Sequence, residues 1–424
     1  MGALYLIGFL SSLGFSIVVP FLVFLVTGYG GNGFVLGAIG AGYWGAQLLG
    51  APWLGALSDR FGRKRVLLRS QLGAVGAWLI FLAALTAPRV ELARIDTVVT
   101  GAFTLTLPLL LIAVSRATDG LFNGSISVAN AYVSDVNRDD DRRVAFARLG
   151  AATNLGFVVG PVFAGLLAHR PGGAFVVVGL ALALSSTAAV LVRFRVADVS
   201  PRAITPAEVD HAACVDVHKL LGGGCRDEAP TPRRGVRDVL AVPALRPLIA
   251  LYFLVFLAFS IFTATFPIHA AVGAGWSSER LGALFTILSL ALVATQTALL
   301  PRLSRWTSAP VLGLAGCAVL VAAYVLLSHR TDVALFAGAI LYGVGNGIMW
   351  PSYLSLLSGA APPQLQGTVQ GVGSGAGSLA SIVGTLTGGT LFELIGGATL
   401  YVSASVVGIA GLLFGGGTRA RNGR

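Results

Sequence analysis

The sequence predicts an all-α polytopic membrane protein with twelve transmembrane helices in two six-helix bundles. Three observations carry this expectation. The 424 residues are 55% hydrophobic and only 11% charged, with a mean hydropathy of +0.82, whereas an ordinary soluble domain is about 25% charged. Apolar stretches recur along the chain, each close to the roughly 20 residues that one crossing needs. A polar segment at 197–246 divides those stretches six and six. The runs are continuous, without the roughly ten-residue alternation of barrel strands, so they read as helices. The 56 glycines show no G-X-Y period, which excludes collagen.

The expected spans, in order, are 4–28, 34–57, 66–88, 104–135, 143–168 and 173–196, then 247–270, 279–301, 309–328, 332–358, 366–392 and 397–416. Span 1 is too long for the apolar region of a signal peptide. Between spans 2 and 3 lie Arg60, Arg63, Lys64, Arg65 and Arg69, and after span 4 lie Arg138, Arg142, Arg143 and Arg148. Arg302 and Arg305 follow span 8, and Arg419, Arg421 and Arg424 follow span 12. With Arg193 and Arg195 at the end of span 6 and the seven basic residues between spans 6 and 7, 23 of the 29 fall on one side. Basic residues accumulate on cytoplasmic loops, so both termini are expected in the cytoplasm, in a multi-pass protein of the plasma (cytoplasmic) membrane. The same rule accounts for the net charge of +11 without nucleic acid.

The organisation that follows is an N-terminal bundle at 1–196, a cytoplasmic linker at 197–246, and a C-terminal bundle with a short tail at 247–424. The linker carries Pro201, Pro206, Pro230, Pro232 and Pro243, with room for one short helix. Paired bundles place a small-molecule site at their interface near the midplane. A monomer in the lipid bilayer is expected. His211, Cys214, His218 and Cys225 are possible zinc donors by type, but their spacing fits no strong finger pattern, so no metal is expected. Gly222-Gly223-Gly224 lacks the Lys-Ser/Thr of a phosphate loop. No cofactor is expected, and no nucleophile–base set points to an enzyme. Three cysteines cannot form a disulfide framework, and Cys317 reads as a small packed hydrophobe.

The most ordered string is Gly55-Ala56-Leu57-Ser58-Asp59-Arg60-Phe61-Gly62-Arg63-Lys64-Arg65. Gly55 permits close helix approach and Gly62 a tight turn. Asp59 can sit near a helix N-terminus or pair with a guanidinium. Together with Arg60 and Arg63 it forms a cluster able to latch one gate state. Charge sidedness alone explains the arginines but not the ordered string. In span 5, Gly156, Gly160 and Gly165 thin one helix face, and Pro161 bends the helix.

Span 4 carries a polar stripe, Arg116, Asp119, Asn123, Ser127, Asn130 and Ser134, at spacings of three or four. Asp119 is the one acid expected deep in a span, and Arg116 lies one turn away, close enough to pair. Intramembrane ionisable residues are functional candidates by default. Separating Arg116 from Asp119 would change the carboxyl group's affinity for a proton; a fixed pair that shapes the bundle is the other reading. Gln47, Tyr252, Gln296, Asn346 and Trp350 join Asn123, Ser127 and Asn130 as candidates for lining the substrate cavity. An aromatic cavity with few charges favours an amphipathic or uncharged solute.

The string at 55–65 resembles the signature loop of the major facilitator superfamily. With Ala51-Pro52-Trp53-Leu54 before it, it is similar to the tetracycline-efflux branch and its multidrug:proton antiporter relatives. Gly156 to Gly165 resembles the antiporter motif of that group, with Ala164 where a glycine is usual, and Arg116 to Gly120 resembles a further family motif. The resemblance implies a secondary active transporter working by alternating access, with efflux of a small drug-like compound driven by protons. It implies proton coupling at Asp119 and Arg116, a cytoplasmic gate at Asp59, Arg60 and Arg63, and bundle packing at Gly156, Gly160, Pro161 and Gly165. One departure stands out: Ser11 and Ser12 occupy the place of the acid usual in the first span. A uniporter or importer without proton coupling therefore stays open, as does a non-transporting receptor on the same fold.

Overall fold

The structure, a computed structural model, describes residues 2–123, 125–136, 139–168, 172–197, 236–361 and 365–422. Almost all of these residues are helical. In the first half the helices are α1 (Gly2–Ser16), α2 (Val19–Gly28), α3 (Gly33–Phe61), α4 (Arg63–Thr86), α5 (Leu107–Asn123), α6 (Ser125–Val136), α7 (Asp139–Ala168) and α8 (Gly173–Arg195). In the second they are α9 (Val236–Ala241), α10 (Leu245–Ile268), α11 (Ser278–Ala294), α12 (Leu300–Leu303), α13 (Ala309–Leu327), α14 (Asp332–Ala360), α15 (Gln366–Ile395) and α16 (Thr399–Asn422). The donors His211, Cys214, His218 and Cys225 lie outside the described residues, as does most of the linker.

Local chemistry explains where several helices start and stop. Span 1 is two helices, because Pro20 in the first turn of α2 has no N–H to continue the ladder of α1. The Asn32 side chain caps α3 by accepting from Val35 N at 3.2 Å. Gly62 ends α3 and opens α4 at φ +91°, ψ 146°, a conformation in which a Cβ would be strained. The span expected at 279–301 is not one plain helix. Residues Thr295–Leu299 form a π-helical turn before α12, next to Pro301, which cannot donate to the carbonyl four residues back.

A β-hairpin stands between the spans expected at 66–88 and 104–135. Strand β1 (Glu91–Thr97) pairs antiparallel with β2 (Gly101–Thr106), with Ile95 opposite Phe103. The span expected from residue 104 therefore begins at Leu107, since Thr104 and Thr106 are held in the ladder. The hairpin marks one end of the molecule. The turn at Gly62, with its arginines, marks the other.

Nine segments among the described residues are long and apolar enough to cross a membrane. One of them, Gly371–Phe414, takes in parts of both α15 and α16 at 44 residues. The expected fourth span carries the polar stripe, and its helices α5 and α6 lie on either side of Gly124, which is outside the described residues. Large apolar side chains stand exposed on the outer faces, including Phe194, Leu290 and Leu412. Such a surface suits lipid rather than water.

Helices of the first half pack on one another through α1 with α7 and α8, α3 with α5, and α4 with α5 and α8. In the second half α13 packs on α14 and α16, and α10 on α15 and α16. The halves meet through α3 against α15 and α7 against α11. Glycines make the first crossing close. A Cβ on Gly37 would overlap the Thr385 carbonyl oxygen, and one on Gly389 would overlap the Gly33 carbonyl.

Candidate functional site

The centre of the first half holds a buried ion pair. Helix α5 carries Arg116 and Asp119, with Arg116 Nη1 at 3.2 Å from Asp119 Oδ2 and both side chains buried. A spacing of three residues on a helix sets this proximity. What surrounds the pair comes from other helices. The guanidinium lies over the Trp78 ring at 4.3 Å from its centroid and 5.3 Å from that of Phe81, both on α4 and both fully buried. A cation held over aromatic faces gains attraction that water would weaken. Sequence reasoning missed Trp78 and Phe81. Their spacing of three on α4 puts both on one face, but nothing in the chain said which residue that face would meet.

The pair is incompletely satisfied. Arg116 Nε and Nη2 and Asp119 Oδ2 have no hydrogen-bond partner among the described residues. In a dry interior an unmatched polar atom is costly, so the arrangement is one that a proton or a bound water can change. Gly120 brings α3 close, because a Cβ there would overlap the Tyr43 backbone. Asn123 Nδ2 donates to Tyr43 Oη across that contact. The Tyr43 ring lies 4.7 Å from Phe15 and 5.2 Å from Trp44.

Asn130 is exposed on α6, and the side chains of Ser127 and Ser134 lie outside the described residues. Ser11 and Ser12 sit on α1. Ser11 Oγ is within 3.5 Å of Gln71 Oε1 and accepts from Gln71 Nε2 at 3.3 Å, and Gln71 is buried on α4.

At the arginine-rich end, Ser58 links the signature loop. Its hydroxyl donates to the Gly55 carbonyl at 2.7 Å and accepts from Arg63 Nη1 at 2.6 Å. Arg63 is buried and Arg60 is exposed. Asp59 lies on α3, and its side chain is outside the described residues. In α7, Gly156 and Gly160 face α1. A Cβ on Gly156 would meet Phe9 O and Leu13 N, and one on Gly160 would collide with Ser16. Ser16 Oγ donates to the Gly156 carbonyl at 3.0 Å across this contact. The helix runs on through Pro161, and Gly165 lies on it near the C-terminal end.

The second half contributes a ring cluster. Tyr252 and Phe256 stack at 4.7 Å with an interplanar angle of 1°. Trp350 packs edge-on against both at 5.5 Å, and Tyr353 lies 5.5 Å from Trp350. Tyr252 thus joins Trp350, as two of the candidate cavity residues, and Tyr353 adds a buried hydroxyl without a partner among the described residues. Asn346 is half-buried one turn before Trp350, Gln47 is half-buried on α3, and Gln296 is exposed on the π-helical turn.

The hairpin end has a contact that sequence reasoning did not foresee. Glu393, near the end of α15, accepts from Gly33 N at 2.7 Å and from Phe34 N, at the first turn of α3. Asn32 Nδ2 donates to the Thr100 carbonyl at 2.7 Å, which fastens the hairpin to the same corner.

Comparison with known proteins places this geometry. The family model of the Major Facilitator Superfamily matches residues 4–385. The class C tetracycline resistance protein of Escherichia coli is 28% identical over 355 residues, covering 80% of this chain and 75% of that protein. Major facilitator superfamily domain-containing protein 10 of Bos taurus is 26% identical over 371 residues, covering 86% of this chain and 74% of that protein. Among solved structures, the human organic anion transporter MFSD10 aligns over 97% of this chain and 98% of its own, at a TM-score of 0.65 and 22% identity. A D-xylose–proton symporter aligns over 97% and 95%, at a TM-score of 0.71 and 12% identity. At these identities the two structures speak for the fold alone.

Proposed function

We propose a function from one premise: this chain belongs to the major facilitator superfamily, and it is a transporter of that fold. On our reading it exports a small amphipathic, drug-like compound by alternating access, and inward movement of protons drives the export. The twelve crossings, the 1–196 and 247–424 bundles, the cytoplasmic termini, the plasma-membrane location and the monomeric state belong to this proposal. So do the gate at Gly55, Asp59, Arg60, Gly62 and Arg63 and the packing role of Gly156, Gly160, Pro161 and Gly165.

The observation that carries the reading is the buried Arg116–Asp119 pair, in contact at 3.2 Å, with Arg116 Nε and Nη2 unmatched and the ion pair not aligned as a hydrogen bond. A proton on Asp119 would cancel its charge and release Arg116 to other partners. The same pair would then differ between two conformations, which is what coupling requires. The aromatic cluster of Tyr252, Phe256, Trp350 and Tyr353 supports an amphipathic substrate, since ring faces bind apolar and planar groups without charge. The likeness to tetracycline resistance proteins makes tetracycline the first compound to try.

The test uses purified protein in proteoliposomes with an internal pH dye. A tetracycline gradient, then gradients of a small panel of amphipathic drugs, are imposed while the dye is read. Substrate-dependent proton flux that disappears in Asp119→Asn is the expected result. Substrate movement with no proton signal would replace the antiporter by the uniporter that Ser11 and Ser12 suggest. Binding without any flux would replace it by a receptor.

A further inference from the structure

The strongest unexplained feature of the first half is a pair of small cavities that share one polar wall. The first is lined by Asp119, Asn123, Gln71, Ser11, Ser70 and Ser185, from four different helices. The second shares Ser11, Gln71 and Asn123 and adds Ser12 and Thr153, while the rest of its wall is apolar, with Leu4, Ile7, Ala129 and Leu149, and it reaches Leu67. Leu67 lies just over one helical turn from Gly62, so the second cavity runs from the first toward the arginine-rich end. Each has room for a water molecule.

The lining groups call for water. Gln71 is buried, and its amide offers two donors and an acceptor with two lone pairs. Its contacts with Ser11, at 3.3 and 3.5 Å, are long for hydrogen bonds. Asp119 lines the first cavity, and its Oδ2 has the ion-pair contact with Arg116 but no hydrogen bond among the described residues. The ionisable groups coupled electrostatically to Asp119 are Arg116 on its own helix and Tyr43 on α3. A carboxylate with a polar, water-sized space beside it, extending toward one end of the bundle, has the parts of a proton path.

We propose that the two cavities hold the water path by which Asp119 exchanges protons with the arginine-rich end, and that Gln71 with Ser11 positions the water at their shared wall. This rests on the reading of Asp119 as the proton carrier. In the releasing step, the O–H bond on the Asp119 carboxylic acid breaks as one forms on the adjacent water. That water passes a proton to the next, and the excess proton leaves as hydronium in bulk water at the arginine-rich end, with the carboxylate left paired to Arg116. No net charge remains on Gln71 or Ser11, so both are positioning residues.

The experiment is infrared spectroscopy of the full-length protein in lipid nanodiscs, following the carboxylic-acid C=O band that is lost in Asp119→Asn. On a rapid change from H2O to D2O, the isotope shift of that band reports how fast the Asp119 proton exchanges. Gln71→Leu is expected to slow the exchange about tenfold, the rate change that loss of one orienting hydrogen bond produces. Gln71→Asn, which keeps the amide, restores most of the rate. Ser11→Ala is the second variant, expected to slow exchange in the same direction should Gln71→Leu not fold. An unchanged rate in both apolar variants overturns the path while leaving Asp119 as a titrating carrier. The absence of any Asp119-dependent band from acid to alkaline pH overturns the carrier reading and the path together.

Discussion

Replacing Glu393 by glutamine should loosen the hairpin end of the molecule, and the structure allows the size to be worked out. Glu393 belongs to the second half, whereas its partners, the Gly33 and Phe34 amides, open α3 in the first. Any motion that parts α3 from α15 at this end breaks both hydrogen bonds. Bonds to a charged acceptor contribute about 1.5–3 kcal/mol when buried, and a carboxylate at a helix N-terminus adds about 0.3–1 kcal/mol. Glu393 is only half-buried, and solvent screening together with the desolvation of the carboxylate reduces these figures, leaving about 2–3 kcal/mol for the whole contact. Glutamine keeps an acceptor but not the charge, and neutral bonds are about half as strong. The expected loss is about 1–1.5 kcal/mol, which moves the equilibrium between closed and parted hairpin ends by about tenfold. Spin labels at Val98 and Val272, 87% and 63% exposed and on opposite halves, would report the change by pulsed dipolar distance measurement. The separated population should grow about tenfold in Glu393→Gln and further in Glu393→Ala. An unchanged distance distribution, with both variants folded, would refute the assignment of Glu393 as a cross-half latch.

Other predictions address the rest of the site. Asp119→Asn should abolish pH-driven tetracycline accumulation in vesicles while binding, read by fluorescence quenching, stays within about threefold, since less than one hydrogen bond's worth of affinity changes; unchanged accumulation would reject Asp119 as the carrier. Gly62→Ala forces a Cβ into φ +91° and should lower stability in detergent by about 1–3 kcal/mol, measured as a drop in melting temperature. Gly160→Val places branched carbons against Ser16 and Ile17, and overpacking of about 1–3 kcal/mol or more should part α7 from α1. Normal transport and an unchanged melting temperature in that variant would show the contact to be looser than drawn.

Much of the architecture was legible in the chain, because the bilayer imposes its own period. Apolar runs of crossing length and the bias of arginines toward alternate loops are local properties, so the long helices and the basic turn at Gly62 could be read directly. The Arg116–Asp119 contact was legible for the same reason, as residues three apart on a helix must be neighbours. The hairpin at 91–106 was not. Its strands are short, β1 exposed and β2 half-buried, and they are fastened at the corner where Asn32, at the start of α3, and Glu393, near the end of α15, meet.

What the sequence by itself determined was therefore the membrane-spanning helices, the family and the ion pair, each a matter of composition or near-neighbour spacing. Only the tertiary structure decided that Trp78 and Phe81 lie beneath Arg116, that Asn123 meets Tyr43, that Gln71 meets Ser11, and that Glu393 caps a helix 360 residues away in the chain. The physical reason is that a helix apolar on nearly every face does not announce which face will meet which neighbour. That choice belongs to close packing at glycines such as Gly37, Gly120 and Gly160, where the absence of a single Cβ lets one backbone reach another.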